Sequence, residues 1–274
     1  MVAADKLVVS PENSSYRYGD GLFETIRCRK GNMLMKDRHF HRLFSGMQLL
    51  KYQLPSFFSH AVLEEKISEL LHKNNCIKEA RVRLSVFRGE GGLFDNDGKT
   101  GYLIECWPLE LQAMGWNENG LVIGVYPDAA KSTDRFSNLK SASFLPYSMA
   151  ARYAKEHHWN DAIILNTAAA IADTSIANIF LVQNGIILTP SLDQGCVAGT
   201  FRAYLLENLL AHGYKVEECK LMPAMLEEAD EVFLTNAIRG IRWVQSAGNK
   251  KYSNGQSKEL FERFVNNKDA SAFQ

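Results

Sequence analysis

The thirty residues Asp161–Pro190, DAIILNTAAAIADTSIANIFLVQNGIILTP, decide the fold class. DAIILN reads as a short strand rich in β-branched residues, and NIFLVQNGIILTP as two more. The pair is joined at Asn184-Gly185, the dipeptide that best supports a two-residue hairpin turn. Working outward, SMAARYAKEHHW before this block and GTFRAYLLENLLAHGY after it carry helical spacing. LVIGVYP and EVFLTN add strands on either side, and SKELFERFVNN a last helix. The first half repeats the mixture. GLFETIRC is a strand leading into a turn at KGN, KDRHFHRLFSGMQLLKYQL and HAVLEEKISELLHKNN are amphipathic helices, and EARVRLSVFRGEGG and TGYLIECWPLE are strands. The preceding YRYGDG reads as a turn. Strands cluster in each half with helices between them, which predicts an α/β (α+β) protein in two domains. The polar stretch LQAMGWNENG sets the boundary, giving a smaller domain over 1–112 and a larger one over 113–274.

The chain has 274 residues and 46% hydrophobic content, enough for one sizeable core or two modest ones. Its 31 basic and 31 acidic residues cancel, which argues against a nucleic-acid partner. The five cysteines are scattered, odd in number and never spaced CxxC. That favours reduced, buried thiols in a cytoplasmic protein over a disulfide framework or a metal site. No apolar run reaches signal-peptide or membrane-span length, so no membrane role is expected.

Four segments could carry chemistry. Lys140 sits in FSNLKSASFLPY, a run otherwise uncharged. It is a solvated lysine, or an amine drawn out of water far enough to be nucleophilic and form a Schiff base. In VAGTFRAYLLE, a glycine and a hydroxyl residue open a helix. Its free N–H groups could face a phosphate, or Thr200 could simply cap it. In HFHRL, Arg42 at a helix edge could fork onto a phosphate, or snorkel beside two helix-surface histidines. Asp173 in ADTSIANIF could cap a turn or hold a proton on a ring nitrogen.

In order, YRYGDGLFETIR, HFHRL, the lysine with a helix behind it, WNDAIILN, ADTSIANIF, TPSLDQGCVAGTFRAYLLE and ADEVFLTNA resemble the class-IV aminotransferases. These are the fold-type-IV pyridoxal-phosphate enzymes, which share the D-amino-acid-aminotransferase fold. The resemblance spans about Tyr16 to Val244. It implies pyridoxal 5'-phosphate as cofactor, with Lys140, in the larger domain, as the Schiff-base lysine and proton carrier. Arg42 falls on the phosphate arginine, and Gly199, Thr200 and Phe201 on a phosphate loop. Asn236, Ala237 and Ile238 fall on a second loop near the phosphate. Asp173 falls where the family places a glutamate against the pyridine nitrogen, and its arm is one methylene shorter. The resemblance also implies a homodimer acting on a small amino substrate.

Within that family, several details lean toward aminodeoxychorismate lyase, which removes pyruvate to leave 4-aminobenzoate, a folate precursor. Leu145 stands where branched-chain aminotransferases usually carry a tyrosine, and TNAI lacks their Gly-Thr pair. LDQGCVAG and RGEGG also resemble the lyase versions. Phe23, Arg88, Leu145 and Arg239 are the substrate-side candidates, with Leu93 where an arginine often grips a carboxylate. The alternatives are an aminotransferase on branched-chain or D-amino acids, and a non-catalytic relative that binds the cofactor or another ligand.

Overall fold

The computed structural model describes residues 6, 9–56, 58–95, 97–110 and 114–266. The chain divides into two compact units: Met1–Ala113 with Leu139–Phe144, and Met114–Asn138 with Leu145–Ser271. The boundary expected between residues 112 and 113 lies outside the described residues. The short segment around Lys140 belongs to the first unit although the chain on either side of it belongs to the second.

The first unit opens with helix α1 (Ser14–Tyr18), where a turn was expected. Asn13 accepts the Tyr16 N–H at its start and Gly19, at φ 70°, closes it. Five residues are too few to leave a periodic signal. Strands β1 (Leu22–Arg29), β2 (Asn32–Met33), β3 (Glu79–Arg88) and β4 (Thr100–Pro108) form an antiparallel sheet in the order β2-β1-β3-β4. Its alternation sends Leu22, Ile26 and Cys28 of β1 and Val82, Leu84 and Val86 of β3 into a core. Helices α2 (Lys36–Leu49) and α3 (His60–Lys73) complete that core with Phe40, Leu43, Met47, Leu63, Ile67 and Leu71.

The second unit holds strands β5 (Leu121–Lys131), β6 (Asp161–Asn166), β7 (Ile171–Thr174), β8 (Asn178–Gln183), β9 (Ile186–Pro190), β10 (Val216–Cys219), β11 (Glu231–Asn236), β12 (Gly240–Ala247) and β13 (Lys250–Lys251). They form one curled sheet in the order β10-β9-β8-β11-β12-β5-β6-β7, with β13 beside β12. The sheet is mixed: β9–β10, β12–β5 and β5–β6 pair in parallel, and β8–β9, β8–β11, β11–β12 and β6–β7 antiparallel. The pairing of β5 with β6 slips: Val125 faces Ile163, but Ala130 faces Leu165. This bulge re-aims the end of β5, where Lys131 lies against Asn166. Helices α4 (Leu145–Glu156), α5 (Thr200–Ala211), α6 (Met225–Glu228) and α7 (Gly255–Phe264) flank the sheet. Buried Glu231 accepts the N–H groups of Gln256 and Ser257, both at 2.8 Å, and so anchors the start of α7. No helix among the described residues is long and apolar enough to cross a membrane.

The hairpin at Asn184-Gly185 is present as expected. Asn184 has φ 51° and Gly185 φ 75°, both left-handed, and Gln183 pairs with Ile186. Nothing lies within 4 Å of a Cβ built on Gly185, so the demand there is conformational only. Gly185→Ala is expected to lower stability by about 1 kcal/mol without altering the fold, read from denaturant unfolding.

Candidate active site

In the first unit, strand alternation turns Glu24 of β1 inward, toward α2. There it is 1% exposed and meets two side chains one helical turn apart. Arg42 forks onto it through Nε, at 2.8 Å from Oε1, and Nη2, at 2.5 Å from Oε2. His39 Nδ1 lies 2.7 Å from Oε2. Burial alone would raise the Glu24 pKa. The charge of Arg42 and the hydrogen bonds from His39 and Arg42 outweigh it and bring the value from 4.5 down to about 2. His39 is fully buried and its pKa is lowered, first by desolvation. It is therefore neutral, with Nδ1–H donated to Glu24 and Nε2 left as a buried, unpartnered acceptor. The expectation of two helix-surface histidines holds for His41 and fails for His39, because Glu24 supplies a partner inside.

Lys140 is held in this same unit by its backbone. Its carbonyl accepts the Phe23 N–H at 3.0 Å, and Ala142 donates to Gly21 O at 2.7 Å. Leu139 fits against Gly46 of α2, where an added Cβ would come within 3.2 Å of it. The Lys140 ammonium lies 4.6 Å from the centroid of the Phe23 ring. Arg83 covers the same ring at 3.9 Å, and its pKa is lowered by desolvation. Phe23 is thus an aromatic floor under two cations. Arg88, offered by the sequence as a carboxylate grip, has another post. It bonds Asp20 at 2.6 Å and the Leu50 carbonyl, and stacks on Tyr52 at 4.3 Å. Its guanidinium ties α2 to β3 and is spent on the scaffold. Leu93 is 62% exposed in the loop beyond.

In the second unit, Asp173 is buried on β7, on a strand and not at a turn. Three donors converge on its Oδ2: Val197 N at 2.9 Å, Tyr147 Oη at 3.1 Å and Lys131 Nζ at 3.3 Å. Its Oδ1 is buried and has no partner. Burial raises the Asp173 pKa, and the Lys131 charge, the Val197 N–H and the Tyr147 hydroxyl oppose that rise. Asp161, at the start of β6, braces the strand. It accepts from Ala162 N, Ser175 N, Ser175 Oγ and Thr174 Oγ1 at 2.5–3.0 Å.

Helix α5 starts at Thr200, with Gly199 as its N-cap and no side-chain cap. The alternative of Thr200 capping the helix is therefore overturned; Thr200 and Phe201 are the first helical residues, with their N–H groups pointing off the helix start. A Cβ at Gly199 would meet Asn178 Oδ1 at 2.0 Å, so a larger residue there would have to displace the Asn178 side chain, which is hydrogen-bonded to the Val197 carbonyl. In the second loop, Asn236 Oδ1 accepts from Ile238 N at 3.1 Å and Arg239 N at 2.9 Å, so the turn through Ala237 is held by its own side chain. Arg239 is half-buried, and its charge adds to desolvation in lowering the Arg242 pKa. Leu145 opens α4 and is 71% exposed.

Sequence reasoning missed Glu24, Arg83, Lys131 and Tyr147. The period-two pattern of β1 and β3 could have placed the first two, inward and outward. Lys131 and Tyr147 depend on the β5 bulge and on the first turn of α4, which leave no local signature.

Because Glu24 is depressed from 4.5 to about 2, its contribution is present above about pH 4.5 and is lost as pH falls toward 2. Glu24→Gln is expected to cost on the order of 3 kcal/mol at neutral pH and progressively less below pH 4.5. Denaturant unfolding at pH 7 and near pH 3 reads both values.

Known proteins share this architecture. The chain is 27% identical over 230 residues to an aminodeoxychorismate lyase of Vibrio harveyi, covering 83% of each chain. It is 29% identical over 236 residues to the Bacillus subtilis aminodeoxychorismate lyase, covering 84% of this chain and 78% of that one. Branched-chain and D-alanine aminotransferases are also among its relatives. A 4-amino-4-deoxychorismate lyase from Pseudomonas aeruginosa has the same fold, with a TM-score of 0.84 over 96% of this chain and 97% of that one, at 24% identity. The model of the family described as Amino-transferase class IV matches residues 21–247, most of the chain, and the protein belongs to that family.

Proposed function

We propose that the chain binds pyridoxal 5'-phosphate and acts as an aminodeoxychorismate-lyase-like enzyme, releasing pyruvate from aminodeoxychorismate and leaving 4-aminobenzoate. The observation that carries the cofactor reading is the arrangement of Asp173. A carboxylate in the interior normally has both oxygens satisfied. This one has three donors on Oδ2 and none on Oδ1, which suits an N–H donor such as a protonated pyridine nitrogen. When bound, the cofactor would supply an electron sink for charge developing at the substrate's α-carbon.

This chain's residues would do the rest. Asp173 Oδ1 would hold the proton on the ring nitrogen. The start of α5 at Gly199–Phe201, the loop Asn236–Ile238 and Arg42 would hold phosphate. Glu24 supports that role of Arg42 by fixing the guanidinium through two hydrogen bonds. Lys140 Nζ would attach the cofactor, take a proton from the α-carbon and return it at the departing pyruvyl group. Phe23 sits beneath that amine, and the half-buried Arg83 beside it suits a carboxylate-bearing substrate. The preference for lyase chemistry rests on the two lyase relatives and on an aliphatic residue at Leu145. A homodimer, implied by the family resemblance, is part of this reading.

The second reading, an aminotransferase on branched-chain or D-amino acids, draws on the relatives of that kind. Purified protein with pyridoxal 5'-phosphate is expected to show a visible absorption band that Lys140→Ala abolishes. Absence of the band in wild type would sink both enzymatic readings and leave a non-catalytic relative. Pyruvate and 4-aminobenzoate release should exceed keto-acid amination across a panel of donors, and Lys140→Ala should lower it at least about a hundredfold. Amination without lyase turnover would decide for the second reading.

A further inference from the structure

The second unit contains a buried cation that the reading above does not use. Lys131 is 8% exposed, and its ammonium lies 3.3 Å from Asp173 Oδ2 and 5.0 Å from the centroid of the Tyr147 ring. Lysine is seldom buried unless paired. Here the pairing follows from backbone geometry. The register slip between Val125 and Ala130 sets Lys131 at the end of β5, beside β6, and β6 in turn pairs with β7 through Ile164 and Asp173. Lys131 therefore reaches Asp173 across the intervening strand β6.

We infer that Lys131 is a positioning residue: it holds Asp173 as a carboxylate turned so that Oδ1 stays open to receive a ring N–H. The link to a ring N–H rests on the cofactor reading above; the ion pair itself does not. Three features support it. All three donors to Asp173 fall on Oδ2, which fixes the rotation of the carboxyl group and leaves Oδ1 bare. Of the three, only Lys131 brings a full charge. Among the described residues, the titratable side chains facing Asp173 are Lys131 from β5, Tyr147 from α4 and Cys196 from the segment before α5, and neither the phenol nor the thiol opposes a negative charge with a positive one. Burial pushes both of those groups upward, so both stay neutral. Without Lys131, the buried Asp173 would take up a proton. A proton on Oδ1 would turn the acceptor into a donor, and the carboxyl could no longer receive an N–H from the ring.

The sign of the pH effect follows. Loss of Lys131 raises the folded-state pKa of Asp173 further above its unfolded value. The resulting destabilisation is largest where the carboxylate must stay ionised and shrinks as pH falls and the proton enters. In Lys131→Met without cofactor, the melting temperature is expected to drop by roughly 6–12 °C near pH 8 and by less near pH 5.5. Lys131→Met/Asp173→Asn should recover most of the drop, because no charge is left to compensate. A deficit independent of pH, or a double variant no more stable than the single one, overturns the charge pairing; the double variant also serves if the single one does not fold.

Titration of the full chain with pyridoxal 5'-phosphate tests the positioning. Lys131→Met should bind it at least about tenfold more weakly near pH 8, and Lys131→Arg should restore binding to within about threefold of wild type. Unchanged affinity in Lys131→Met reduces Lys131 to a structural ion and overturns the positioning. If wild type binds no pyridoxal 5'-phosphate, the cofactor reading fails and the positioning with it, while the pairing is judged by the pH series alone.

Discussion

A carboxylate taken out of water must be compensated by donors or cations, or it neutralises. That constraint recurs through both units. Glu24 is held by an arginine and a histidine, Asp161 by two N–H groups and two hydroxyls, Asp173 by a lysine, a phenol and an N–H, and Glu231 by the start of a helix. Each acid joins segments that the chain separates widely. Glu24 links β1 to α2, Asp161 links β6 to the end of β7, Asp173 links β7 to α4 and β5, and Glu231 links β11 to α7. The apolar cores supply most of the driving force for folding. The acids choose which elements meet, since each has a small set of partners that can satisfy it.

The same four acids divide by completeness. Both oxygens of Asp161 and Glu231 are occupied by N–H and hydroxyl donors, which marks them as scaffold. Glu24 is complete as well, but it presents a fixed guanidinium outward from the pair. Asp173 alone keeps one oxygen idle in the interior. Its three donors all fall on the other oxygen and fix the rotation of the carboxyl group.

Much of the fold was legible in the sequence, for physical reasons that differ by element. The Asn184-Gly185 hairpin was legible because left-handed backbone is costly for most residues and common for these two. Helices α2 and α3 announced themselves through apolar spacing on one face. Strand β7 did not, since it has four residues, all buried, and no alternation to display. Helix α1 was too short. The candidates Lys140, Arg42, Asp173 and the start of α5 stand out in the sequence through their ordered company and not through local pattern. Arg88 shows the limit of residue type as a guide. It has the chemistry of a carboxylate receptor, and its assignment to Asp20 and Leu50 is visible only in three dimensions.

Leu139–Phe144 packs with the first unit, yet it is translated after the first strand of the second. The first unit therefore lacks its last piece until β5 has been made. Its sheet and helices can condense early, since residues 22–108 contain all four strands and both long helices. The groove beside Gly46 and the backbone groups of Gly21 and Phe23 then wait for Leu139, Lys140 and Ala142 to arrive. During synthesis, Lys140 leaves the ribosome only after all four strands and both long helices of its unit have been made.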